Sequence, residues 1–386
     1  MEDKEKLEEI SAEESETNSA PAKEESAENQ PVEETLPESH LHRRKDRKKK
    51  KRMLHIWFNY AIDILITGIL LLVFALFHHV IPASEPTVGK ELPTVSQNQL
   101  VMEPISTQTL QPSVSMEAEP TATPIIYEGQ FGGLFEDKFT DGEPIWTENS
   151  YIGKNISVAI DKINYSGDAN YFVADIYVRD LKYLRAAFAG NGEFISGKSD
   201  DVKNMAAENN GILAISGDYC GFSSRAGYIV RNGLLYRDKA WEDVCVLYQD
   251  GEMVTYENDE FDLETMSQRG IWQIWSFGPM LLDDGNVMEK FNSRLNPQNP
   301  RTAIGYFEPG HYCFVVVEGR IGNVNGFSTK EMSQLMYDLG CKAAYNLDGG
   351  GTAAMVFNGE LLNVQADGGR GCSDIIYVTD TWEDAQ

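Results

Sequence analysis

The sequence predicts an α+β fold: a mixed β-sheet domain with flanking helices, preceded by one transmembrane helix. Three observations carry this. Short β-type runs punctuated by Gly, Asn and Asp begin at about Tyr127, a well-capped helix is written at 328–340, and a long apolar segment stands behind a basic cluster.

Residues 1–42 are dominated by Glu with Ser, Pro and Asn, and bury too little apolar surface to offset chain entropy, so they read as a disordered acidic tail. Residues 43–52, RRKDRKKKKR, form a basic juxtamembrane segment. Residues 53–81 then read MLHIWFNYAIDILITGILLLVFALFHHVI, with Trp57, Phe58 and Tyr60 at the basic end. At a rise of ~1.5 Å per residue, roughly 20 residues span a bilayer core, and Asp63 sits about two turns in, where it can snorkel or pair. A buried core helix needs no basic mouth, and a cleavable signal peptide rarely follows so long a hydrophilic stretch. The segment reads as an uncleaved signal anchor with a cytoplasmic amino terminus and an extracytoplasmic remainder. Residues 82–126, rich in Pro, Ser and Thr, read as a spacer.

Residues 127–386 form the predicted domain, long enough for one core. Hairpin turns are marked at Asn232-Gly233, Asp250-Gly251 and Asn358-Gly359. Helices are expected at 201–209 and from a Ser328 or Thr329 cap through KEMSQLMYDLG, where Met332, Leu335, Met336 and Leu339 make an apolar stripe and Gly340 ends the run. The order HYCFVVVEGR, helix, KAAYNLDGG is strand, helix, strand, which puts Asp348 at a strand end, where ligands commonly bind.

A net charge of -27, with its one basic cluster beside the apolar segment, excludes a nucleic-acid binder. An exported domain meets no ATP pool, and the glycines after Asp348 are followed by no Lys, so a nucleotide loop fails on spacing too. The five cysteines are an odd number without a disulfide framework, and Cys313, inside an apolar strand, reads as a small buried hydrophobe. His311 is the single histidine of the exported part, which disfavours a Cys220–His pair and a His-rich zinc site.

The run NLDGGGTAAM, 346–355, offers exposed backbone amides beside Asp348 and suits an anion, although a plain Gly-rich turn has the same composition. Its company is NPRTAIGYF at 299–307, VVVEGR at 315–320, ISGDYCGF at 215–222 and DGGRGCSDIIYV at 367–378, each with a charged residue at the edge of an apolar strand. In this order the motifs resemble the phosphodiester glycosidase family, which includes the enzyme that uncovers mannose 6-phosphate and bacterial proteins linked to surface polysaccharides. The resemblance spans about 152–380. Two stretches depart from the family pattern: SGDYCGF stands where relatives often carry an Asn-Gly-Gly-Phe-like stretch, and Arg370 lacks the neighbouring Glu.

The resemblance implies cleavage between a sugar's anomeric carbon and a phosphate oxygen. A phosphate monoester leaves readily, so such a site needs cationic donors on the phosphate and a carboxylate on the sugar side. Arg301, Arg320 and Arg370 are the phosphate-binding candidates, since a guanidinium matches two oxygens at once. Asp348 is the first choice of carboxylate, then Glu318 and Asp218. Asn346, the amides of Gly349, Gly350 and Gly351, and the Thr352 hydroxyl are expected to position substrate oxygens. WSFGPMLLDDG, 275–285, also resembles a family segment, with Trp275 expected in the core and the Gly278-Pro279 turn near the sugar. No cofactor is firmly implied; a divalent cation on Asp348, Asp218 or Glu318 is left open. The expected partners are a phosphate-linked glycan and, through one helix, the membrane. A non-catalytic or transferase domain acting on the same glycans is the competing expectation.

Overall fold

The computed structural model describes residues 38–79, 86–92, 129–221, 227–257, 259–291 and 293–381. They fall into two units, Met1–Ile81 and Pro82–Gln386. In the first, one helix runs Glu38–His79. Its stretch Lys49–Leu72, with mean hydropathy 1.6, is long and apolar enough to cross a membrane. Residues 38–42, expected in the tail, and the basic segment belong to this same helix; the rest of the tail lies outside the described residues.

In the second unit the α+β reading holds, but the sheet directions differ from expectation. A seven-stranded sheet has the spatial order Ala343–Asn346, Arg301–Glu308, His311–Val317, Ala169–Val178, Ile156–Ser166, Ser150–Ile152, Ile145–Trp146. A five-stranded sheet follows Glu360–Leu361, Met355–Phe357, Leu213–Ser216, Asp374–Val378, Leu184–Phe188. A six-stranded sheet contains Ile229–Arg231, Val244–Tyr248 and Ile271–Trp275. The ladders among described strands are antiparallel. The strand–helix–strand unit does exist: His311–Val317 and Ala343–Asn346 run the same way, but Arg301–Glu308 lies between them and pairs with both. The five-stranded sheet repeats the device, with Asp374–Val378 inserted between Leu184–Phe188 and Leu213–Ser216. A crossover helix needs width to return over, and the inserted strand supplies it.

The main core lies where the three sheets meet, with Ile176, Phe314, Leu213, Ile376, Leu247 and Trp275 in one cluster. Each crossover helix covers the other face of its sheet. Val202–Glu208 buries Val202, Met205 and Ala206 against Ala214, Val356 and Ile375. Thr329–Asp338 starts at a Ser328–Glu331 capping box and buries Met332 and Met336 against Ala303 and Val315. Each of those methionines contributes about 1.5–3 kcal/mol by leaving water. Covered on both faces, Arg301–Glu308 reads as an almost continuous apolar run rather than an alternating one.

The three marked hairpins form, with Asn232 and Asn358 in the left-handed region at φ 53° and 50°. The spacer expectation needs correction. Part of it, Lys90–Glu91, is an edge strand paired with Leu234–Arg237, and Leu92 is buried; most of the remainder lies outside the described residues. All five cysteines are buried free thiols.

Candidate active site

Two strand ends converge on the site. The chain leaving Ala343–Asn346 turns through Leu347 and Asp348 into the glycine run, beside the start of Arg301–Glu308. A cleft of about 590 Å³ opens there, and Asp348 lies at its wall.

The backbone fixes Asp348 firmly. Its N–H donates to Gly217 O (2.9 Å), and its carbonyl accepts from Ser216 Oγ (3.1 Å), which is itself 2.9 Å from Thr302 Oγ1. The residue is only 6% exposed. Oδ1 lies 3.7 Å from an Arg370 nitrogen, while Oδ2 is buried and has no hydrogen-bond partner among the described residues. Burial is the main reason its pKa is pushed up from 3.8 to about 7; Arg370 and a Thr352 hydrogen bond oppose this, and the charges of Asp218 and Asp374 add to it. A carboxyl group that exchanges a proton near neutrality in a cleft is suited to acid–base work.

The glycines are required by close approach. A Cβ on Gly349 would lie 2.5 Å from Pro300 O, and Gly350, at φ +66°, lies under the Arg320 guanidinium. Gly350 N–H donates to Pro300 O, whereas the N–H groups of Gly349 and Gly351 make no hydrogen bond among the described residues. Thr352 does not line the cleft; its Oγ1 lies 2.7 Å from Gly349 O, bracing the loop, and also neighbours the Asp348 carboxyl group.

The three arginines reach the cleft by different routes. Arg370 is 56% exposed at the side chain, with its backbone N–H on Gly351 O. Arg320 pairs with Asp367 and donates to Asn299 Oδ1 (2.7 Å). Arg301 lines the cleft but is buried, and Nε and Nη2 donate to the carbonyls of Phe327, Leu295 and Pro297. Burial lowers its pKa to about 10. Arg301 therefore clamps the loop before its strand as well as facing the cleft. Asn346 also lines the cleft, with Nδ2 on Leu347 O and Oδ1 unpartnered.

Two expected carboxylates are placed elsewhere. Glu318 is buried and does not line the cleft: Oε2 accepts from Asn170 N and Nδ2, and Oε1 from Val364 N, so it ties three segments together. Asp218 is fully buried, accepting from Tyr219 N and Ser276 N, with Oδ2 3.7 Å from Arg231. Burial raises its pKa to about 6, against the opposing pull of Arg231. Among the described residues no three His, Cys, Asp or Glu side chains converge as a metal-ligand set. His311 pairs with Asp175 (2.6 Å), and burial raises the Cys220 thiol well above its usual range, so no thiolate–imidazole pair is formed.

Several residues that line the cleft were not singled out by the sequence motifs. Tyr219 and Phe277, with ring centroids 4.5 Å apart, make an aromatic wall, and Asn299 and Asp367 lie on the arginine side. Tyr219 sits in the ISGDYCGF motif and Phe277 beside Trp275, which is in the core as expected. Gly278 is needed because a Cβ there would lie 1.9 Å from Asn346 O.

Residues 209–379 match the family described as phosphodiester glycosidase. The SPbeta prophage-derived uncharacterized protein YomE of Bacillus subtilis is 29% identical over 180 residues, 44% of this chain and 28% of that protein. The N-acetylglucosamine-1-phosphodiester alpha-N-acetylglucosaminidase of Bos taurus is 28% identical over 134 residues, 31% of this chain and 25% of that protein. The matches thus span under a third of the curated relatives' length. Among solved structures, the catalytic domain of the zebrafish enzyme of that name aligns with 58% of this chain and 84% of its own, at 20% identity and a TM-score of 0.48. A hypothetical protein from Synechocystis aligns with 58% of this chain and 62% of its own, at 15% identity and a TM-score of 0.41. Over residues 209–379, less than half of its length, the chain is thus similar to the phosphodiester glycosidase family.

Proposed function

We propose that the domain hydrolyses sugar-1-phosphodiester bonds, of the N-acetylglucosamine-1-phosphodiester type, in glycans of the cell envelope or exopolysaccharide. The single observation that carries this is Asp348: a buried carboxyl group with a free Oδ2 and a pKa near neutrality, in a cleft that also holds Arg320 and Arg370.

In this reading the phosphate lies against Arg320, Arg370 and the N–H groups of Gly349 and Gly351, and the sugar packs on Tyr219 and Phe277. The bond from the anomeric carbon to the bridging oxygen breaks, and its electron pair leaves with the phosphate monoester. Water attacks the anomeric carbon, and ionised Asp348 takes its proton or stabilises the oxocarbenium-like centre. The helix Glu38–His79 serves as a signal anchor, with the domain on the extracytoplasmic side.

The second reading is binding, or transfer to another acceptor, of phosphate-linked glycans. It is favoured by Arg370, which is exposed at the cleft mouth and lacks the neighbouring acid often seen in relatives.

The test is release of sugar from a synthetic N-acetylglucosamine-1-phosphodiester by the full-length protein in detergent, in ¹⁸O-labelled water. Label on the anomeric oxygen supports the glycosidase reading. Label in phosphate makes the protein a phosphodiesterase at phosphorus, and binding without cleavage leaves the second reading.

A further inference from the structure

Arg320 and Asp367 are both non-glycine residues in the left-handed backbone region, at φ +56° and +57°. Asp adopts this region by local preference, but Arg does so rarely, so Arg320 is held there by its surroundings. Between them the two residues bring a guanidinium and a carboxylate into contact at the rim of the cleft, over Gly350. The two side chains are 41% and 65% exposed, and an ion pair so open to water adds little to stability. Asp367 is not needed to shape its own loop. Gly369 N–H donates to Ala366 O and Gln365 Nε2 to Gly351 O, while the Asp367 carboxylate bonds only Arg320 among the described residues.

What Asp367 does change is the charge of the cleft. The charged residues lining it are Arg301, Arg320, Arg370, Asp348 and Asp367. With both acids ionised, three arginines against two aspartates leave one excess positive charge. A phosphodiester carries one negative charge, whereas a phosphate monoester carries close to two at neutral pH and above.

Resting on the phosphodiester reading above, we propose that Asp367 is a specificity-determining residue: by halving the net positive charge of the cleft, from two to one, it weakens the hold on a monoester dianion more than on a phosphodiester monoanion, so that product is released more readily relative to substrate binding. Asp367 is no part of the bond-breaking machinery. It acts through Arg320, as an internal anion that a monoanion displaces at low cost.

The experiment measures binding directly and needs no turnover. Full-length protein in detergent, wild type and Asp367→Asn, is titrated calorimetrically with dimethyl phosphate and with methyl phosphate at pH 8 and low salt, with Asp367→Glu as the charge-preserving control. Coulomb energy scales with ligand charge, so the gain for the dianion is the square of that for the monoanion: about threefold tighter for dimethyl phosphate and about ninefold for methyl phosphate. Both gains shrink in high salt, and Asp367→Glu behaves as wild type. Equal gains for the two esters, or weaker binding of both, overturn the inference and leave the phosphodiester reading standing. If neither ester binds either protein, the phosphate reading of the cleft fails and takes the inference with it.

Discussion

The two split strand–helix–strand units end in the same way and serve different ends. In one, Leu213–Ser216 is followed two residues later by Asp218; in the other, Ala343–Asn346 is followed two residues later by Asp348. The corners touch, since Asp348 N–H donates to Gly217 O. At the first corner, Arg231 from the six-stranded sheet fills the space: Nε donates to Asp374 Oδ2 (2.7 Å), Nη2 lies 3.7 Å from Asp218, and Asp374 Oδ1 accepts from Asp218 N–H. At the second, Asp348 faces a cleft, and its ion pair among the described residues is with the exposed Arg370. One backbone design thus yields a structural carboxylate where a buried cation meets it and an available one where none does.

The largest expected effect breaks or keeps that division at the level of chemistry. Asp348→Asn is expected to lower kcat on the synthetic phosphodiester about 10³-fold, while Asp218→Asn lowers it less than about tenfold. Equal losses in steady-state assays would mean that the two corners act as one. Next comes Arg231→Met, which leaves Asp218 and Asp374 buried without a cation. Denaturant unfolding should show a loss of about 3–5 kcal/mol, against less than about 1 kcal/mol for Arg370→Met.

A third test uses pH. The folded-state pKa of Asp348, about 7, stands above its ordinary 3.8, so the folded protein holds that proton more tightly than the unfolded chain. The penalty is absent below about pH 4, grows between about 4 and 7, and is complete above. Asp348→Asn should therefore stabilise the fold by roughly 2–4 kcal/mol at pH 8 and give no gain at pH 3.5, read from melting at the two pH values. A gain that is the same at both would show that Asp348 is not a strained acid. The smallest effect concerns the same group in turnover: kcat/KM of the wild type should rise with pH through about 7 as Asp348 ionises, and a profile flat from pH 5 to 8 would remove it as the base.

Much of the fold was legible because its signals are local. The Ser328–Glu331 cap, the Met332/Met336 stripe and the Asn-Gly turns depend on residues close in the chain, and each appears where its spacing puts it. The insertion of Arg301–Glu308 and Asp374–Val378 between the crossover strands was not legible, because Ala343–Asn346, which the first also pairs with, and Leu184–Phe188 and Leu213–Ser216, which flank the second, are distant from them in the sequence. The site divides along the same line. Asp348 and its glycines are one contiguous motif that could be singled out from the sequence, whereas Asp367 and Phe277 come to the same cleft only because distant loops carry them there.

By itself the sequence determined which motif bears the candidate chemistry, that a basic cluster precedes an apolar helix, and that the domain resembles phosphodiester glycosidases. Only the tertiary structure decided which carboxylates are free. Asp218, Glu318 and Asp348 are alike as residue types, but burial and the number of donors within reach set a carboxylate's role. Those donors, Arg231 and Ser276 for Asp218, Asn170 and Val364 for Glu318, are far from them along the chain.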